Sequence, residues 1–204
     1  MEGLASFLWE AEVLRVGEFR LKSGRLSPYF LNFGQVASGA TLARMGGFFA
    51  RGMRRYFPDA TMLFGPAYKG LPLAIATAQA LYTEFGQDVP YFSLRKEAKE
   101  HGEGGRVLGR PPGPEDRVVV LDDVMTTSAT KREALRDIAE LGGQVAGILV
   151  AVDRQEGDAA SSFERETGVP VRSLATVEEV FAQLAPRLEP AVVQRFRDYR
   201  DAIR

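Results

Sequence analysis

Short apolar runs and stretches of helical period alternate along the chain from about residue 60 onward. The runs TMLFGP, VPYFSL, RVVVLDDV, QVAGILVAVD and VPVRSL, at residues 61–66, 89–94, 117–124, 144–153 and 169–174, read as strands. Most are rich in β-branched or aromatic residues and nearly free of polar positions in their centres, as strands covered on both faces must be. Helical patterns lie between most of them, at residues 71–86, 131–141 and 159–167, the first closed by Gly86. Such alternation predicts an α/β fold, with a mostly parallel central sheet and helices on both faces.

Upstream the rhythm differs. Residues 2–16 read as a helix, with Leu4, Phe7, Leu8, Val13 and Leu14 on one stripe, and residues 39–56 as another. Between them Phe19 and Leu21 alternate with Arg20 and Lys22, Ser23-Gly24 signals a turn, and Tyr29 to Phe33 extends again. This predicts a small antiparallel hairpin outside the main sheet, its tip carrying Lys22, Ser23, Gly24 and Arg25. The expected organisation is a single domain over residues 1–204, with an N-terminal hood (about 1–38), a core (about 39–175) and a helical tail (about 176–204).

One segment breaks the alternation. Arg95 to Asp116 joins two expected strands where a helix is due, and it concentrates Arg95, Lys96, Lys99 and His101 before Gly102, Gly104 and Gly105. A loop this long in a compact domain is a lid, a binding loop or a mobile polar segment. Cations beside glycine hinges suit a lid that closes over a polyanion.

Composition narrows the chemistry. The chain has 204 residues, a formal net charge of -1 and no cysteine, which excludes disulfides, thiolate catalysis and cysteine-based zinc sites. The balanced charge gives no general attraction to nucleic acid or membrane. No apolar run is long enough to span a bilayer and no basic leader is visible, so a cytoplasmic location is expected. Only five of the 26 basic residues are lysine (Lys22, Lys69, Lys96, Lys99 and Lys131), and four of those lie in turn or loop stretches. The sequence lacks the Walker A loop, the G-x-G-x-x-G fingerprint, H-E-x-x-H and the G-x-S-x-G elbow.

The most informative stretch is Arg117 to Thr130, RVVVLDDVMTTSAT. Four buried-strand residues run into Asp122 and Asp123, then a hydroxyl-rich turn, then a helix. Open α/β sheets bind ligands at the carboxyl ends of their strands, and helix N-termini favour anions. The acids suit ribose hydroxyls or a hydrated Mg2+, and the turn suits a phosphate. The same pattern also serves a solvated turn with a helix cap. GPAYKG, residues 65–70, is a second strand-to-helix turn, where Lys69 and glycine backbone again suit a phosphate.

VVVLDDVMTTSAT resembles the 5-phosphoribosyl 1-diphosphate (PRPP) motif of the type I phosphoribosyltransferases. LKSGRLSPYFLNFG, GPAYKG and RKEAKEHGEGG, in this order, resemble one member family, the orotate phosphoribosyltransferases, and the similarity runs from Phe19 to Arg154. The resemblance implies a Mg2+-dependent, homodimeric transferase that joins PRPP to orotate in pyrimidine biosynthesis. It implies PRPP contacts from Lys22, Tyr68, Lys69, Arg95, Lys96, Lys99 and His101, some of these in the partner's site. Asp122 and Asp123 would hold the ribose hydroxyls. Val124, Met125, Thr126, Thr127, Ser128, Ala129 and Thr130 would form the phosphate turn. Lys22, Phe30, Thr126 and Arg154 would meet orotate, and Lys99, His101 and Asp123 would carry catalysis. No direct protein ligand to Mg2+ is implied; substrate and water would hold it near Asp122 and Asp123. Ser128 and Ala129 depart from the glycines common in the family's turn, and Leu31, not a second aromatic, follows Phe30. A transferase for another nucleobase and a PRPP-sensing regulator without turnover are the alternatives.

Overall fold

The computed structural model describes residues 3–21, 24–99, 105–125, 129–156 and 159–203, with backbone alone for residues 96–99. Six strands form the central sheet: β3 (Met62–Phe64), β4 (Tyr91–Lys99), β5 (Gly105–Gly109), β6 (Arg117–Met125), β7 (Gln144–Asp153) and β8 (Val171–Thr176). Their spatial order is β5-β4-β3-β6-β7-β8, all parallel except β5, which pairs antiparallel with β4. The helices are α1 (Leu4–Glu10), α2 (Gly39–Tyr56), α3 (Gly70–Phe85), α4 (Ala129–Glu140), α5 (Ala159–Thr167), α6 (Val177–Leu184) and α7 (Pro190–Ile203). The remaining strands, β1 (Leu14–Arg20) and β2 (Leu26–Leu31), form the expected separate hairpin.

Period-two alternation along the strands builds a core on each face. Val119 and Leu121 of β6, with Leu149 and Ala151 of β7, face the side packed by α2 and α3. Val118, Val120, Ile148 and Val150 face the side where Ala134 and Ile138 of α4 and Phe163 of α5 lie. Each fully buried valine, leucine, isoleucine or phenylalanine among them stabilises the fold by roughly 1.5–3 kcal/mol relative to exposure. Helix α3 stops where Gly86 enters the left-handed region at φ 66°.

Two expectations about elements are corrected. The first helix ends at Glu10, not residue 16: Glu12 takes a positive φ of 53°, and Leu14, Arg15 and Val16 pair with Leu31, Phe30 and Tyr29. Val13 and Leu14 continue the helical stripe, but strand pairing with a distant segment outweighs that local period. The segment from Arg95 is likewise not a plain loop. Strand β4 runs on to Lys99 and pairs with β5, with Leu94 opposite Val107 and Lys99 opposite Gly105, so Arg95, Lys96 and Lys99 lie on a hairpin arm. The tail is helical in two pieces, α6 and α7. Thr176 caps α6: its hydroxyl accepts from the Glu179 N–H while the Glu179 carboxylate accepts from the Thr176 N–H.

Candidate functional site

The sheet order reverses between β3 and β6. Strand β3 leads through α3 to β4 on one side, while β6 leads through α4 to β7 on the other. The crevice at the carboxyl ends of β3 and β6 is thus the topological switch point, where open α/β sheets take ligands. Both strand-to-helix turns singled out in the sequence open there.

The turn after β3 is packed too closely for side chains at its two ends. A Cβ on Gly65 would lie 2.3 Å from the Gly70 carbonyl oxygen, and one on Gly70 would lie 2.8 Å from the Leu121 carbonyl oxygen. Glycine therefore lets this turn lie directly against β6. That contact brings Lys69 Nζ within 3.2 Å of Asp123 Oδ2. Lys69 remains 68% exposed, so its ammonium can follow an incoming ligand. Tyr68, also exposed, follows Ala67 across a cis peptide.

The two acids have different surroundings. Asp122 Oδ1 accepts from the Asp123 N–H at 2.9 Å, and its Oδ2 accepts from Lys131 Nζ at 2.6 Å. Asp123 Oδ1 accepts from the Val124 N–H at 2.8 Å, and its other oxygen faces Lys69. Burial, then the Asp122 charge, hold the Asp123 carboxyl above its ordinary range, with Lys69 opposing both. The Val124 and Met125 side chains are buried in opposite cores, so only their backbone is available to a ligand. Ala129 and Thr130 are exposed in the first turn of α4. Thr126, Thr127 and Ser128 lie outside the described residues, as do Lys22, Ser23 and His101, together with the side chains of Lys96 and Lys99.

Arg95 donates from Nη1 to the Gly105 carbonyl at 3.1 Å, across the base of the hairpin arm. Beside it a cavity of about 330 Å3 is lined by Pro66, Ala67, Arg95, Arg106, Thr130 and Asp137, so it borders both turns. Among the described residues no group of three or more His, Asp or Glu is arranged to hold a metal ion.

Arg154 directly follows β7, the neighbour of β6, and reaches the hood. Its Nε donates to the Tyr29 hydroxyl at 3.4 Å, and its guanidinium lies 5.1 Å from the Tyr29 ring centroid. Nη2 is 2.8 Å from Glu156 Oε1, yet makes no aligned hydrogen bond among the described residues. Burial works against the Arg154 charge, but Tyr29, Glu156 and Tyr199 outweigh it and raise its pKa. Burial likewise pushes the Tyr29 hydroxyl up to about 12, so it remains a neutral donor. Tyr199 of α7 donates to Glu156 at 3.1 Å, and Arg200 donates to the carbonyls of Arg154 at 2.9 Å and Gln155 at 3.2 Å. Phe30, one position beyond Tyr29, points the other way, exposed and against Phe19 with ring centroids 5.6 Å apart. Sequence reasoning missed Tyr29, Glu156, Tyr199 and Arg200, whose meeting is a tertiary event. It also left Lys131 out of the site, although the scarcity of lysine was a signal.

The phosphoribosyl transferase domain family matches residues 36–184. The chain is 46% identical over 188 residues to the orotate phosphoribosyltransferase of Pseudomonas aeruginosa, a match covering 90% of this chain and 87% of that one. It is 43% identical over 202 residues to the Klebsiella pneumoniae orotate phosphoribosyltransferase, covering 96% and 94%. The solved orotate phosphoribosyltransferase of Francisella tularensis superposes with a TM-score of 0.84 at 32% identity, over 97% of this chain and 96% of that one. With its switch-point turns and these relatives, the chain belongs to the orotate phosphoribosyltransferase family.

Proposed function

We propose that the crevice between β3 and β6 is where this orotate phosphoribosyltransferase joins orotate to the phosphoribosyl group of PRPP, giving orotidine 5'-monophosphate and diphosphate in pyrimidine biosynthesis. The observation that carries the location is the Lys69–Asp123 contact across the switch point, which sets a movable cation beside a shielded carboxylate. A ring nitrogen of orotate attacks C1 of the ribose as the bond to diphosphate breaks. Positive charge grows on the ribose and negative charge on the leaving group, so no covalent nucleophile is required. Asp123 accepts from a ribose hydroxyl and faces the growing positive charge; Asp122 lies beside it. Lys69, Tyr68, Lys22, Arg95, Lys96, Lys99 and His101 meet the diphosphate, and Lys99 or His101 supplies a proton to it. Residues 124–130 cradle the 5'-phosphate, Thr126 also faces orotate, and Phe30 packs beside the orotate ring. The adjacent carboxylates offer the hard oxygens that a hydrated Mg2+ accepts. When bound, Mg2+ neutralises charge on the diphosphate.

Spectroscopic measurement of orotate consumption with PRPP, with and without Mg2+, tests this reading. PRPP-dependent loss of orotate is expected, and no turnover under either condition would overturn it.

Asp123→Asn separates function from stability. It should lower kcat/KM for PRPP about tenfold or more, the scale of one charge-assisted hydrogen bond. It should also raise Tm near pH 8. An acid whose folded-state pKa is raised adds stability below the ordinary carboxylate range and loses it as pH rises through the folded value. The wild type therefore carries the cost of an ionised Asp123 at about pH 8, while asparagine does not, and the advantage should vanish near pH 3. Thermal melts across pH check the sign.

The single-domain division into hood, core and tail, a cytoplasmic location and a homodimer belong to the same proposal. No helix among the described residues is long and apolar enough to cross a membrane. Ile75 and Tyr82, seven residues apart on α3, expose large apolar side chains on one helical face and support an interface between copies. The double substitution Ile75→Asp, Tyr82→Asp should halve the mass seen by sedimentation and lower kcat, because arm residues would no longer reach the partner's site. An unchanged mass would place the interface elsewhere.

A further inference from the structure

Lys131 is the one lysine that sequence reasoning gave no task, and it is 4% exposed. It sits in the first turn of α4, where the helix dipole disfavours a cation. Burial disfavours the charge further, so the fold retains it only with compensation. That compensation comes from the end of β6. Nζ donates to Asp122 Oδ2 at 2.6 Å and to the Val124 carbonyl at 3.0 Å. One ammonium thus ties the strand to the helix on either side of residues 126–128.

We propose that Lys131 is a positioning residue for PRPP binding, fixing the Asp122 carboxylate in one orientation and bracing the two flanks of the phosphate turn. The inference rests on the reading that PRPP binds at this acidic pair. It also gives the acids separate parts. Asp123 faces an exposed lysine that a ligand can draw away, whereas Asp122 is held by a buried lysine that solvent hardly reaches. Asp122 keeps acceptor capacity for a ribose hydroxyl, since each carboxylate oxygen has more than one lone-pair direction.

The test compares Lys131→Met, Lys131→Arg, Asp122→Asn and the Lys131→Met, Asp122→Asn pair by steady-state kinetics, with PRPP binding by calorimetry. Lys131→Met should raise KM for PRPP about tenfold or more and leave KM for orotate within about twofold, with Lys131→Arg restoring part of the loss. A purely structural lysine would lower Tm and the active fraction without moving KM for PRPP, and that result would overturn the proposal. If Lys131→Met alone does not fold, the pair removes both buried charges together and is the better-tolerated change. The pair should match Asp122→Asn in KM for PRPP, because the lysine acts through that carboxylate; a further multiplicative rise would overturn the proposal. Absence of PRPP binding by the wild type would instead overturn the underlying site reading, and the proposal with it.

Discussion

Replacing Lys99 by alanine should lower kcat about 100- to 1000-fold, the usual cost of removing one preorganised group that stabilises transition-state charge. The diphosphate of PRPP is already anionic and gains further negative charge as the bond to C1 breaks, so a cation that answers this added charge acts on the transition state more than on bound PRPP. KM for PRPP should therefore change much less than kcat. The fold places its backbone at the far end of the paired β4–β5 segment. Lys99 lies opposite Gly105 on the β4–β5 arm, beyond the regular pairing of Leu94 with Val107. Steady-state kinetics with both substrates varied would check it, and an unchanged kcat would remove Lys99 from the chemistry.

Arg154→Ala should raise the orotate Kd about 30-fold or more while the PRPP Kd stays within about twofold. Truncating one partner of a buried, hydrogen-bonded charge pair costs several kcal/mol, much of it from the charge left behind. A guanidinium matches a carboxylate through two parallel hydrogen bonds; here Nε of the guanidinium donates to Tyr29, while Arg200 donates to the Arg154 backbone carbonyl. Its Nη2 is buried 2.8 Å from Glu156 Oε1 without an aligned hydrogen bond. Glu156 keeps the Tyr199 hydroxyl as a donor in the variant, so the fold should persist. Calorimetric titration with orotate decides the matter; a wild-type Kd would assign the carboxylate to another residue.

The parts of this molecule that could be read from the chain are those whose cause is local. Strand β7 was expected at residues 144–153, and it occupies Gln144–Asp153, because an apolar run that long between turns has few other uses. The acidic pair and its hydroxyl-rich turn stood out because strand, acids and helix follow one another without interruption. The hairpin arm did not, since charged residues 95–99 carry no period-two apolar signal and are shaped by their partner strand. Leu14 reads as helical for the converse reason: its local stripe fits, while its true neighbour, Leu31, lies across the hairpin. In the site, Lys69 and Asp123 were legible one by one, but their contact depends on the sheet order reversing between their strands. The support for Arg154 was hidden altogether, because Tyr29, Tyr199 and Arg200 come from opposite ends of the chain.

The most direct measurement is a crystal structure of the protein with PRPP bound. The ribose hydroxyls should lie within hydrogen-bonding distance of the Asp122–Asp123 pair, with the 5'-phosphate against residues 126–130 and the diphosphate beside Lys69. A PRPP molecule seated away from the carboxyl ends of β3 and β6 would contradict the account.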